Sequence, residues 1–258
     1  MSSYDGSDKL DTSNETFLAV TTILPLLCEI ENKNISTIIT NRFTSDFVKR
    51  ILNREKTGTT LPYERLPYDT DKYEINNVAT RMASSIKNEY GGLQTRFHIF
   101  NELIGNIYNH TPLDKNLASQ AHTLVQEYPN VQKLDICIMD DGISISGGFD
   151  LTNIGYDDEC HAIEKAISGT SSIQDKDRSR GLGLRTTIKL VVEGNGGSIL
   201  IVSGKGCLYI ENEDNYKYKF LNNDSMFKGT LVSVRLNKNE VQNYYNFIEI
   251  DNVNPYKY

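Results

Sequence analysis

Residues 198 to 236 constrain the fold most. Short apolar segments (SILIVS, CLYIE, YKYKFL and TLVSVRL) alternate with turn clusters such as GKG and NEDN. Connections this short leave no room for a crossover of a dozen or more residues, so the segments form antiparallel hairpins, a meander. Upstream, the spacing changes to helical. A helical pattern begins near residue 73, breaks at Gly91-Gly92, and resumes until Pro112 ends it. LDICIMDDG, 134 to 142, reads as a buried strand running into a turn. Asp157-Asp158 can cap the short helix ECHAIEKAIS. Leu184, Ile188, Val191 and Val192 give one apolar helix face, stopped by the glycines of GNGG. Residues from about 73 to 236 are thus α+β, with helices on one face of an antiparallel sheet.

The flanks say less. Residues 1 to 16 are polar. Residues 17 to 70 hold an apolar run, a helical pattern near Thr44 to Leu52, and TGTTLPYERLPYD, whose prolines and glycine speak against regular structure. The last 22 residues, rich in Asn and Tyr, read as peripheral. The run FLAVTTILPLLC is too short to span a bilayer, contains Pro25, and follows acidic rather than basic residues. With four cysteines lacking C-x-x-C spacing, a soluble cytoplasmic protein with reduced thiols is expected, with neither disulfides nor a zinc site. The net charge of −7 and the lack of a basic stripe argue against a nucleic-acid partner.

The stretch ELIGNIYNH, 102 to 110, is unusual for a helix. At about 100° per residue, Glu102, Asn106 and Asn109 share one stripe, flanked by His98 and His110, while Phe100, Leu103, Ile104 and Ile107 point away. A solvated face favours long helix formers, whereas Asn competes for backbone hydrogen bonds. Short carboxamides here suggest a use other than solvation. Three further stretches can join it. Asp140-Asp141-Gly142 ends a strand, RGLGL (180 to 184) places two glycines before a helix where free N–H groups can hold an anion, and Gly229-Thr230 opens the last strand. No G-x-x-x-x-G-K-[ST] occurs, and the 181–183 glycines neither follow a strand directly nor have a third partner, which excludes a P-loop and a dinucleotide fingerprint.

In this order, Glu102-x-x-x-Asn106, Asp140-Asp141-Gly142, Gly181-Leu182-Gly183-Leu184 and Gly229-Thr230 resemble the gyrase, heat-shock chaperone, histidine kinase and MutL (GHKL) ATPase superfamily. The resemblance spans roughly 93 to 236. Within the superfamily, E-x-x-x-N-x-x-x-H and AISGTSS…RGLGL look most like anti-sigma-factor serine kinases and standalone ATPase-domain regulators. It implies a Bergerat-type ATP-binding fold: a two-layer sandwich with a mixed, mostly antiparallel sheet and helices on one face. Residues 71–236 would be that domain, 1–70 a region without an assigned role and 237–258 a tail.

The resemblance also implies roles. The carboxamide of Asn106 would ligate Mg²⁺, which prefers oxygen donors and keeps most of its water and phosphate ligands. Glu102 would orient or deprotonate a water or hydroxyl nucleophile. Asn109 and His110 would donate to phosphate oxygens. Asp140 would accept from the adenine amine, Gly142 would let backbone approach the base, and Thr230 would hold a water against it. Gly181, Gly183 and Leu184 would wrap the triphosphate, with Arg178 and Arg180 as charge partners. The segment Gly169 to Arg180 would be a lid that ATP orders. Ser144 and Ser179 stand where the superfamily patterns carry glycine. Two readings follow: an enzyme that hydrolyses ATP or passes its phosphoryl group to a regulatory protein, and an ATP-gated interaction module without hydrolysis. Retention of Glu102 favours the first.

Overall fold

A computed structural model describes residues 9–11, 13–15, 17–33, 35, 37–41, 44–110, 119–170, 182–222 and 225–248. Two short strands, β1 (Lys9–Asp11) and β2 (Thr37–Ile39), pair in parallel. The main sheet has seven strands: β3 (Glu64–Leu66), β4 (Ala121–Tyr128), β5 (Lys133–Asp140), β6 (Ser198–Gly204), β7 (Gly206–Ile210), β8 (Tyr216–Phe220) and β9 (Phe227–Asn237). Their spatial order is β3-β4-β5-β9-β6-β7-β8, and every pairing is antiparallel. The helices are α1 (Val20–Lys33), α2 (Ser45–Leu52), α3 (Lys72–Ser84), α4 (Leu93–His110), α5 (Ser144–Leu151), α6 (Glu159–Ile167) and α7 (Gly183–Ile188), the last continuing as a π-helical turn over Lys189–Gly194. The protein is α+β with an antiparallel sheet.

Three expectations change. The hairpins from β6 to β8 form a meander, but β9 leaves it and inserts between β5 and β6. β8 reads YKYKF and is exposed along its whole length, so it suits an edge. β9 carries Leu231, Val232, Val234 and Leu236, all buried, and can occupy the middle. The prolines around residues 62–67 permit a short edge strand, β3, where irregular structure was expected. Helices also cover both faces, so the sheet lies inside three layers rather than two. On one face Val125, Ile136, Ile138, Ile201 and Val234 pack against α3, α4 and α6. On the other, Leu124, Cys137, Met139 and Leu231 pack against Ile23, Leu24 and Leu27 of α1 and against α2. The pairing Leu124↔Cys137 and the alternation along each strand account for this split. Among the described residues no helix is long and apolar enough to cross a membrane.

The turn between α3 and α4 is built around one side chain. Arg96 is fully buried. Its guanidinium donates to the carbonyls of Ala83, Ile86, Lys87, Asn88 and Tyr90 at 2.8–3.4 Å and to Asn88 Oδ1 at 3.1 Å. These carbonyls belong to the end of α3 and the chain after it, where a helix leaves acceptors without partners. Five planar donors in a fixed fork suit that cluster. Gly91 and Gly92, both with positive φ, then turn the chain into α4. Arg96→Leu should therefore lower the free energy of unfolding by roughly 3 kcal/mol or more, because several buried acceptors lose their donor at about 1–3 kcal/mol each. Urea unfolding followed by circular dichroism checks this, and a loss below about 1 kcal/mol would show that the cluster is not a structural anchor.

Candidate functional site

A cavity lies between α4 and one end of the sheet. Its walls are apolar: Leu103 and Ile107 of α4, Ile138 and Val232 of the sheet, and Ile145 and Phe149 around α5. Its polar groups are few and come from separate stretches: Asn106, His110, Ser119, Asp140, Ser144 and Thr230 among them. Mostly apolar walls with a few convergent polar groups are the usual composition of a small-molecule site.

Asp140 sits at the end of β5, opposite Ala121. Its Oδ1 accepts from Gly142 N at 2.8 Å and its Oδ2 from Thr230 N at 3.0 Å. Burial is the largest influence on this carboxyl and pushes its pKa up to about 7, against the two backbone donors, which pull it down. The glycines next to it are sterically required. A Cβ on Gly142 would fall 2.0 Å from Ser119 Oγ, and one on Gly229, whose φ is +81°, would fall 2.1 Å from the Asp140 carbonyl oxygen. Thr230 Oγ1 is 2.9 Å from Ser203 Oγ, which accepts from Ile145 N at 2.8 Å, so the strand end and the start of α5 share one hydrogen-bonded network.

On α4, Asn106 and His110 face the cavity. Burial lowers the pKa of His110, favouring the neutral imidazole. Glu102, one turn before Asn106, lies against the start of α7: a Cβ on Gly183 would fall 2.1 Å from Glu102 Oε2. Burial raises the pKa of Glu102, partly offset by a hydrogen bond from Asn101. Leu184 lines the cavity beside Gly183.

The structure thus brings Asn106, His110, Asp140, Leu184 and Thr230 to one cavity, with Gly142 in its turn and Glu102 and Gly183 beside it. Asn109 is exposed and does not line it. The reason is rotational: Asn109 and His110 differ by about 100° around the helix, and the cavity lies on the His110 side, with Leu103 and Ile107. His98 also lies elsewhere, its ring edge-on to Tyr244 at 6.2 Å between centroids. Arg178, Ser179, Arg180 and Gly181, with the lid from residue 171 onward, lie outside the described residues.

Sequence reasoning missed Ser119, Ile145 and Phe149 as lining residues. The signal of the last two was weak, since SISGGFDL carries two glycines and is a poor helix former whose burial depends on the sheet. Ser144, standing in a glycine position of the superfamily pattern, has φ +70°. A serine there bears left-handed backbone strain of about 1–2 kcal/mol, while its hydroxyl accepts from Gly147 N at 3.3 Å. Comparison with protein-family models and with curated proteins finds no match.

The buried carboxyl makes a pH prediction. Its folded pKa of about 7 lies above the ordinary value of 3.8, so the folded state holds the proton more tightly between those values. Stability from this group is present at low pH and is lost as pH rises through about 7. Relative to Asp140→Asn, which does not titrate, the wild type should lose roughly 2–3 kcal/mol between pH 5 and pH 8. Denaturant unfolding of both proteins across that range measures it, and parallel curves would mean that Asp140 is ionised throughout.

Proposed function

We propose that the chain is an ATP-binding protein of the GHKL superfamily, with a Bergerat-type nucleotide site, that hydrolyses ATP or transfers its γ-phosphoryl group to a regulatory protein. The observation that carries this reading is the convergence on one apolar cavity of Asp140, held by Gly142 N and Thr230 N, and Asn106 from α4. These residues come from three stretches far apart in sequence, in the order the superfamily pattern requires.

The apolar walls suit a flat heterocycle, and Asp140 offers its remaining lone pairs to an exocyclic amine. Adenine presents a donor there and guanine a carbonyl, so ionised Asp140 favours adenine. Asn106 would hold Mg²⁺: a single neutral carboxamide oxygen on the cavity wall fits an ion that takes one or two protein ligands and otherwise water and phosphate. That ion would supply charge neutralisation for the phosphates. His110, on the same side of α4, can contribute a neutral N–H to a phosphate oxygen. Glu102, made more basic by burial, can accept the proton of the attacking water or hydroxyl as the new P–O bond forms and the bond to the ADP oxygen breaks.

One observation favours the non-hydrolysing reading. Glu102 lies against Gly183 beside the cavity rather than on its wall. ATP bound there would then act through α7 as a gate for a protein partner. Glu102→Gln separates the two. It should bind ATP as the wild type does, by calorimetry, and release labelled phosphate about 10²–10⁴-fold more slowly. Equal rates would remove Glu102 as the base. ATP binding without phosphate release or transfer in either protein would favour the gated module.

A further inference from the structure

The opposite face of the sheet carries a second cluster, which the nucleotide reading does not use. Asp140 and Asp141 are consecutive, and their side chains leave the strand end toward opposite faces. Asp140 enters the cavity, while Asp141 turns to α1, where its Oδ2 accepts from Asn32 Nδ2 at 3.2 Å. Its Oδ1 accepts from Gln120 N at 2.9 Å. Cys28 of α1 and His122 of β4 lie next to it, both buried. One ligand atom from each of Cys28, His122 and Asp141 lies within 4.8 Å of the other two.

We infer that Cys28, His122 and Asp141 form a binding site for a borderline-soft divalent transition ion, zinc above all, that staples α1 to the end of the sheet. Three observations carry it. First, the spacing of the sulfur and the imidazole nitrogen fits. Cys28 Sγ and His122 Nε2 are 3.6 Å apart, and tetrahedral coordination with ordinary Zn–S and Zn–N bonds puts such atoms about 3.5 Å apart. Second, the imidazole is set in the tautomer a metal needs. Tyr63 Oη donates to Glu31 Oε2 at 3.0 Å, so at 2.7 Å from His122 Nδ1 it accepts that nitrogen's proton. Nε2 is left with its lone pair directed at Cys28. Arg65 Nη1 holds Glu31 at 2.9 Å. This chain of imidazole, phenol and carboxylate is the outer-shell arrangement that orients metal-bound histidines. Third, a fourth position exists. Asn32 Nδ2 lies 3.3 Å from Cys28 Sγ and 3.2 Å from Asp141 Oδ2. Turning that amide over presents its oxygen at the same place, and a water can serve instead. Asn32 is exposed, which gives an entry path.

The ligand set itself points to this class of ion. A thiolate and an imidazole suit zinc or cobalt(II), whereas magnesium and calcium take oxygen donors. Binding would release the Cys28 proton to solvent, leaving thiolate, neutral imidazole and carboxylate around the ion. The site is independent of ATP binding and stands or falls apart from it.

The test uses the full chain, stripped with a chelator and titrated with Co²⁺, then with Zn²⁺. One Co²⁺ per chain should bind, with thiolate-to-cobalt charge-transfer absorption and the visible bands of tetrahedral cobalt, and Zn²⁺ should displace it. Cys28→Ser should abolish the charge-transfer absorption, while Cys207→Ser should leave it unchanged. Tyr63→Phe, which keeps all the ligands, should weaken the affinity about 10–100-fold. Circular dichroism of each variant verifies folding. Wild-type protein that shows no thiolate–cobalt absorption, or absorption that persists in folded Cys28→Ser, would overturn the proposal and leave the cluster a hydrogen-bonded network.

Discussion

The buried carboxyl of Asp140 is the constraint around which the site is arranged. It sits where β5 ends and β9 begins, and it can stay there only because two backbone N–H groups, from Gly142 and Thr230, compensate part of its desolvation. That pair of bonds fixes the relation between two neighbouring strand ends. It also forbids side chains at Gly142 and Gly229, because a Cβ at either position would fall on Ser119 or on the Asp140 carbonyl. A buried acid held this way is costly for folding unless a further donor completes its partners. Costly groups retained in a cleft are candidates for function, and the amine of the proposed ligand would supply the missing donor.

The rest of the fold holds α4 against this point. Arg96 ties the end of α3 to the start of α4 through its cluster of carbonyl contacts, and so sets the helix that carries Glu102, Asn106 and His110. From the other side, α1 packs its Ile23, Leu24 and Leu27 on β4 and β5. The segment before residue 70, to which the sequence assigned no role, therefore covers one face of the sheet. It also brings Cys28 and Asn32 to Asp141, one residue from the carboxylate that faces the cavity. The two sides of the strand end are thus occupied by different chemistry, separated by the period of two along a strand.

What was legible in the sequence depended on whether local pattern and tertiary environment agreed. The Asp158 cap was readable, and its side chain accepts from His161 N at 2.9 Å. β5 and the helical pattern through Asn106 were readable for the same reason. β4 was not assigned: AHTLVQEY is buried on both faces over most of its length, so it lacks the alternation of a half-exposed strand. α5 was hidden by its glycines. Asn109 lies off the cavity wall, because a helical stripe defines a direction but not which neighbour it faces. Leu103 and Ile107, assigned to the core side, share the cavity wall with Asn106. The place of β9 between β5 and β6 follows from which strand can be buried on two faces, a property of the assembled sheet. Arg96 carried no sequence signal, since a lone arginine in an amphipathic helix reads as a solvated residue.

In the proposed reading, Asp140 would select an adenine nucleotide by accepting a hydrogen bond from its exocyclic amine. Calorimetric titration of the same protein with ATP and with GTP, each with Mg²⁺ at about pH 8, where a carboxyl of pKa about 7 is mostly ionised, tests this most directly. The two ligands share their phosphates and ribose and differ at the group that would face Asp140. ATP should bind measurably and GTP at least roughly tenfold more weakly, the equivalent of one hydrogen bond to a charged acceptor replaced by a repulsive contact, about 1.4 kcal/mol or more. Equal affinity for ATP and GTP, or no binding of either, would contradict this reading.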